Sequence, residues 1–66
     1  YKYWAAKSLI VMANNYYELK DAYQATYILE SVISNFAQFD DVVEKATADL
    51  NKIKSELAKT NESIKN

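Results

Sequence analysis

The chain has 66 residues, eight basic and nine acidic side chains, and no Gly, Pro, Cys or His. Sharp turns and phosphate-binding loops depend on Gly and Pro, so this composition excludes an all-β meander and a glycine-rich nucleotide site. The missing Cys and His exclude disulfides, thiolate nucleophiles, imidazole acid–base chemistry and nearly all zinc sites. We therefore predict an all-α protein that is not an enzyme and binds no cofactor or metal.

Size and charge also limit the partners. A domain this short hides only about 60% of its unfolded surface, and small domains without disulfides or metals are commonly stabilised by association. The net charge is −1, which argues against nucleic-acid binding. The longest apolar run, residues 9–13, is too short to span a membrane. Because the chain begins at Tyr1 within a predicted helix, we interpret it as a piece of a longer protein.

The first predicted helix covers residues 3–17 and is apolar on two adjoining stripes. One stripe contains Ala5, Leu9, Met12, Ala13 and Tyr16. The other contains Tyr3, Ala6, Ile10 and Tyr17. A helix with so much apolar circumference is expected to be covered on more than one side.

The second predicted helix covers residues 22–36. Asp21 followed by Gln24 indicates an N-cap, because the carboxylate can accept from early backbone N–H groups. The connection before it is about three residues, which predicts an antiparallel hairpin with the first helix. The small residues Ala13 and Ala25 are expected to let the two helices approach closely. The residues expected to fill the seam between them are Leu9, Met12, Tyr16, Leu29 and Val32.

The third predicted helix covers residues 41–58, followed by a polar, frayed tail at 59–66. Asp41 with Glu44 indicates a second cap, and the charge of Asp40 is favourable at a helix N-terminus. This capping role accounts for the acidic cluster without a metal. In the connector, Phe36 and Phe39 are expected to pack over the helix ends.

Two antiparallel helices joined by a short turn form the unit of helical-repeat families, one of which has a 34-residue period. In one register, residues 6–37 resemble a tetratricopeptide repeat. Leu9 takes the Trp/Leu position, and the other matching positions are Met12, Tyr16, Ala25 and Leu29. The sequence departs from the family at Ala13, Val32 and Ala37, which stand where the family has Gly, Ala and Pro.

The chain most resembles the C-terminal repeats of bacterial cell-envelope tetratricopeptide proteins. The stretches that carry this likeness are residues 6–8, 21–33, 40–41 and 52–54. The resemblance implies an α-solenoid fragment, with one repeat-like hairpin followed by a capping helix. It also implies upstream repeats of the same chain as partners, a non-catalytic role in protein binding or scaffolding, and a location in the cell envelope or periplasm.

Two sets of residues are candidate contacts. The resemblance implies a concave groove for a protein or peptide, lined in this register by Lys7, Ile10, Asn14 and Tyr17. The N-terminal aromatic residues form the other set, because Tyr and Trp are enriched at binding hot spots. We predict that Tyr1, Tyr3 and Trp4 contact a neighbouring repeat or the second subunit of a homodimer.

The third helix supports an alternative function. Its apolar positions follow a heptad spacing, with Asp49 and Lys54 placed for an interchain ion pair. The heptad positions are Val43, Ala46, Leu50, Ile53, Leu57 and Ile64. This pattern indicates a self-associating coiled-coil module. An amphipathic membrane-surface helix is disfavoured, because the segment lacks Trp and a basic flank.

Overall fold

The computed structural model describes the backbone of residues 1–65 and the side chains of residues 1–59, and it contains three α-helices. They are α1 (Lys2–Glu18), α2 (Ala22–Asn35) and α3 (Asp40–Lys65). The predicted all-α hairpin with a third helix is confirmed. Helix α3 continues past residue 58, where the sequence predicted its end. The side chains of residues 60–65, including Ile64, and the whole of Asn66 lie outside the described residues.

Helix α1 ends in a turn that needs a left-handed residue. The chain has no Gly, and Lys20 takes this position. The Asp21 N–H donates to the Tyr16 carbonyl at 2.9 Å, and the Lys20 N–H donates to the Tyr17 carbonyl at 3.0 Å. This pair of bonds is the Schellman motif, which satisfies the last carbonyls of a helix. It requires a left-handed residue, and Lys20 has a φ of 70°. Lys20 therefore adopts a conformation that Gly would reach without steric cost.

The start of α2 follows the sequence prediction. An Asp21 carboxylate oxygen accepts from the Gln24 N–H at 3.1 Å. Since Asp21 is also the residue that closes the α1 turn, one residue ends the first helix and begins the second. This double role makes the connection short, and α2 folds back along α1.

The core is formed by buried apolar residues of all three helices, and small side chains hold α1 and α2 close together. Ala13 and Ala25 are completely buried, as the proposed seam requires. Met12 is an exception, since 46% of its side-chain surface stays exposed. The reason is that Met12 lies about 100° from Ala13 around the axis of α1, on a side that points away from α2. The buried set is Ala6, Ile10, Ala13, Ala25, Leu29, Val32, Val42, Ala46, Leu50 and Ile53.

The connection from α2 to α3 carries two partly buried Phe residues, Phe36 and Phe39, which pack against the core as predicted. Helix α3 begins one residue earlier than expected. The Val43 N–H donates to the Phe39 carbonyl at 3.0 Å, so Phe39 occupies the position before the helix. Asp41 consequently lies within the first turn, where its charge is still favourable, but it is not the cap that the sequence predicted.

The first prediction concerns the strained turn. We expect Lys20→Gly to raise the free energy of unfolding by about 0.5–1 kcal/mol, because it removes the Cβ clash of the left-handed conformation. The melting temperature would rise by roughly 3–6 °C in a thermal melt followed by circular dichroism. Lys20→Ala is the matched control and should give no gain, since Ala keeps the Cβ. A destabilised Lys20→Gly variant would contradict the role assigned to this turn.

Candidate interaction surface

Among the described side chains, three hydrogen bonds join α1 to α3. The Tyr3 hydroxyl donates to Asp41 at 2.5 Å, and the Tyr17 hydroxyl donates to Glu56 at 2.9 Å. Between them, the Asn14 amide donates to Asp49 at 3.1 Å. The partners advance together along both helices, so α1 and α3 run parallel. Helix α2 packs more extensively on both of them than they pack on each other.

Asp49 is the buried charge of this seam, with only 9% of its surface exposed. One carboxylate oxygen accepts from Asn14, and the other lies 3.1 Å from the Lys45 ammonium one helical turn away. The Asn14 amide also donates to the Ile10 carbonyl at 3.0 Å, which uses its second N–H and fixes its orientation. Within the described part of the chain, no buried side-chain nitrogen or oxygen lacks a hydrogen-bond partner. The desolvation of Asp49 is therefore offset by bonds to both of its oxygens.

The four residues expected to line a groove all lie along this seam. Ile10 is 4% exposed and belongs to the core, while Asn14 and Tyr17 are half-buried and hydrogen-bonded to α3. Lys7 alone is exposed, with its ammonium 5.4 Å from the centre of the Tyr3 ring. An open pocket of about 350 Å³ remains beside it. The pocket is lined by Lys7, Ile10, Val11, Asp41, Val42 and Lys45.

The two phenol–carboxylate contacts shift pKa values in opposite directions. The hydrogen bond from Tyr3 has the largest effect on the pKa of Asp41 and lowers it. Desolvation raises this pKa by a smaller amount than the Tyr3 hydrogen bond lowers it. Backbone N–H groups at the start of α3 and the charge of Lys7 lower it further. The pKa of Tyr17 is raised, first by its hydrogen bond to Glu56, then by desolvation and by the negative charge of Glu56. Both shifts favour the protonation states that make the contacts, which are a neutral phenol and an ionised carboxylate.

The N-terminal aromatic residues divide into two groups. Tyr3 is half-buried, and its ring makes edge contacts with Trp4 at 5.1 Å and with Phe39 at 5.4 Å between centroids. Its position is thus set by the protein itself. Tyr1 is fully exposed, and Trp4 exposes 67% of its surface. Of the three predicted contact residues, these two offer most of their surface to a partner.

Trp4 belongs to a larger surface, which we call the outer face of α1. It is the side of the helix turned away from both α2 and α3. All eight of its residues are exposed and none has a charged side chain. The outer face consists of Tyr1, Trp4, Ala5, Ser8, Val11, Met12, Asn15 and Leu19.

Val11 and Leu19 were not among the predicted contact residues, although the sequence contains a signal for them. A helix face that is solvent-exposed in the monomer normally carries charge, and residues at this spacing along α1 carry none. Val11 exposes 60% of its surface and Leu19 76%. An open depression between Met12 and Leu19 lies along the same helix.

No known protein family matches the chain, and no curated protein or solved structure is similar to it. Among the described residues, no helix is both long enough and apolar enough to cross a membrane. The same part of the chain holds no group of three or more acidic, Cys or His side chains arranged to bind a metal ion.

The second prediction tests the buried contact between Asn14 and Asp49. We expect Asn14→Leu to lower the free energy of unfolding by about 1–3 kcal/mol, because the buried carboxylate loses a donor. Adding Asp49→Leu to that variant should recover most of the loss, since an apolar pair of similar volume leaves no unsatisfied group. Urea unfolding of the two single variants and the double variant measures this coupling. Asn51→Leu, on the exposed side of α3, is the control, and strictly additive effects would contradict the contact.

The third prediction concerns acid. Because the pKa of Asp41 is lowered in the folded state, its stabilising contribution is complete above the unfolded value of about 3.9 and is lost as the pH falls through the lowered folded value. Tyr3→Phe keeps the ring but removes the donor. We expect the Asp41 carboxyl of this variant to titrate at higher pH by NMR, and its melting temperature to fall less between about pH 6 and pH 2.5. Tyr17→Phe should leave the Asp41 titration unchanged.

Proposed function

We propose that this chain is a non-catalytic protein–protein interaction and scaffold module, built as the terminal part of a tetratricopeptide-like helical-repeat protein. The observation that carries the proposal is the outer face of α1, an exposed surface along the whole helix that has no charged side chain. Larger exposed apolar patches on soluble proteins mark sites of interaction. The face combines aromatic and aliphatic side chains, and such a surface gains most from contact with another apolar surface.

The arrangement of the helices supports the repeat interpretation. In stacked helical repeats, each hairpin packs against its neighbours, and the first helix of the next repeat runs parallel to the first helix of its predecessor. Helix α3 has this relation to α1. The small residues Ala13 and Ala25 are buried at the positions where the family register calls for small side chains. In this interpretation the outer face is where a preceding repeat packs.

The seam between α1 and α3 is a second, smaller contact surface in this proposal. The pocket beside Lys7 has an apolar floor formed by Ile10 and Val42, with Lys45 on its rim. An apolar side chain of a peptide partner fits such a floor, and the two Lys residues suit a nearby carboxylate. Most of the seam is already occupied by contacts within the protein, so the outer face carries the larger share of binding.

Self-association through α3 is less well supported. Ala46, Leu50 and Ile53 of the heptad are buried within the monomer. Leu57 exposes 39% of its surface, and the side chain of Ile64 lies outside the described residues. A coiled coil through these positions would have to open the core first, which costs the burial that holds the three helices together.

The fourth prediction tests the repeat interpretation. A consensus tetratricopeptide hairpin is fused ahead of Tyr1, and residues 1–5 of this chain supply the last five positions of its 34-residue period, so that Ala6 begins the next repeat. We expect one cooperative unfolding transition, with a melting temperature at least about 5 °C above that of the parent chain, because stacked repeats stabilise each other. Differential scanning calorimetry measures both features.

Two variants of the fusion protein test whether the outer face is responsible for the rise in melting temperature. The pair Trp4→Glu with Val11→Lys should abolish it, because charges would be buried in the new interface. The matched control, Tyr23→Glu with Tyr27→Lys, alters comparably exposed residues of α2 and should retain it. Two independent transitions at the temperatures of the separate parts would contradict the proposal.

A further inference from the structure

We infer that the outer face of α1 binds a second copy of this chain, with the two α1 helices antiparallel about a two-fold axis. The inference rests on the proposed function, in that it uses the same face, and it names the partner. It is carried by the charged residues that border the face and by the area that the face offers.

Two of the three charged side chains of α1, Lys7 and Glu18, lie on one border of the face, and the third, Lys2, lies on the other. Lys7 and Glu18 are both exposed and are separated by eleven residues, which is three helical turns. They therefore lie on the same side of α1, near opposite ends, and have opposite signs. The other border of the outer face contains Leu9 and Tyr16, which are half-buried, and no acidic residue.

In an antiparallel pair, Lys7 and Glu18 of the two copies form two pairs of opposite charge. A two-fold axis perpendicular to the helices brings each border against the same border of the other copy. With the axis near Met12 and Ala13, Lys7 lies opposite Glu18 of the second copy, and Glu18 lies opposite Lys7 of the second copy. The same register places Trp4 beside Leu19 of the second copy and Met12 beside its own counterpart. The interface is self-complementary, as two-fold symmetry requires.

A parallel pair does not fit. Its two-fold axis runs along the helices and brings the charged border against the opposite border of the other copy. Lys7 and Glu18 would then face the side that holds Leu9 and Tyr16. The charged residue on that side, Lys2, has the same sign as Lys7 and lies at the opposite end of α1 from Glu18. The positions of the two charges therefore favour the antiparallel pair.

The area of the face suits a weak dimer. Trp4, Val11 and Leu19 each expose more than half of their surface, at 67%, 60% and 76%. At roughly 200 Å² for a fully exposed aromatic side chain and about 100 Å² for an aliphatic one, the face offers on the order of 500 Å² per copy. A total near 1,000 Å² lies at the lower end for specific interfaces, so we expect micromolar dissociation constants. Because the face has no charge, its burial carries no cost of desolvating an ion.

The fifth prediction begins with sedimentation equilibrium over a wide concentration range. The apparent mass should rise from the 7.6 kDa of one chain towards twice that value. Lys7→Glu and Glu18→Lys should each weaken the dimer about 5- to 10-fold, because two like-charge pairs replace two opposite ones. The combined variant should return to within about 3-fold of the parent, since the pairs re-form with reversed signs. Tyr27→Glu on α2 is the control and should leave the dimer unchanged.

Cysteine cross-linking tests the direction of the helices, and the chain has no other Cys to interfere. Met12→Cys should form a disulfide with itself under mild oxidation. Trp4→Cys and Leu19→Cys should each fail to do so alone and should link when the two variants are mixed. Tyr23→Cys should not link. Circular dichroism of every variant verifies that it is folded, which is expected because all of these positions are exposed.

The outcomes separate this inference from the proposed function. A chain that stays monomeric at all concentrations overturns the dimer. The inference also fails if the charge variants leave the dissociation constant unchanged, or if Trp4→Cys forms a disulfide with itself. Neither result affects the fusion experiment, which measures stacking with a foreign repeat. If both interpretations hold, the fused repeat covers the outer face, and the fusion protein should be monomeric where the parent chain dimerises.

Discussion

The hydrogen bond from Asn14 to the buried carboxylate of Asp49 determines how α1 and α3 are aligned. These two helices contact each other only lightly, so packing alone constrains their relative position weakly. A buried carboxylate is costly without donors, and a shift of either helix by one residue would turn Asp49 or Asn14 away from the other. The phenol contacts of Tyr3 and Tyr17 lie at the two ends of the same seam. Together they hold the helices parallel and in one register.

This alignment decides which surfaces of α1 remain available. With α2 on one side and α3 on another, about a third of the helix circumference is left, and this remainder is the uncharged outer face. A short chain normally places polar residues where nothing covers it, because exposed apolar area gives no stability in the monomer. The charges of α1 instead lie beside this face. The contact that we propose for this face accounts for the composition of α1, since the three helices do not cover the face among themselves.

Periodicity and capping residues were sufficient to predict much of the fold. The Asp21 cap, the short connection and the seam alanines follow from local rules about which residues end helices and which allow close packing. The roles of Asp41, Met12 and Asp49 did not follow from those rules. A helical wheel shows which residues share a face, but it does not show which neighbour covers that face. Asp41 has the sequence signature of a cap, yet Tyr3, 38 positions away, binds its carboxylate.

The groove and the outer face show that the sequence also does not reveal which binding residues are covered by a neighbouring helix. The family register places Lys7, Ile10, Asn14 and Tyr17 on one side of α1, and the structure shows that side turned towards α3. Polar residues such as Asn14 look available in the sequence, but they are engaged in holding α3 in place. The side without charge looks like ordinary core in the sequence, yet it is exposed. The three helices leave this stripe uncovered and use the polar side among themselves, which is why we propose the stripe, and not the groove, as the main binding surface.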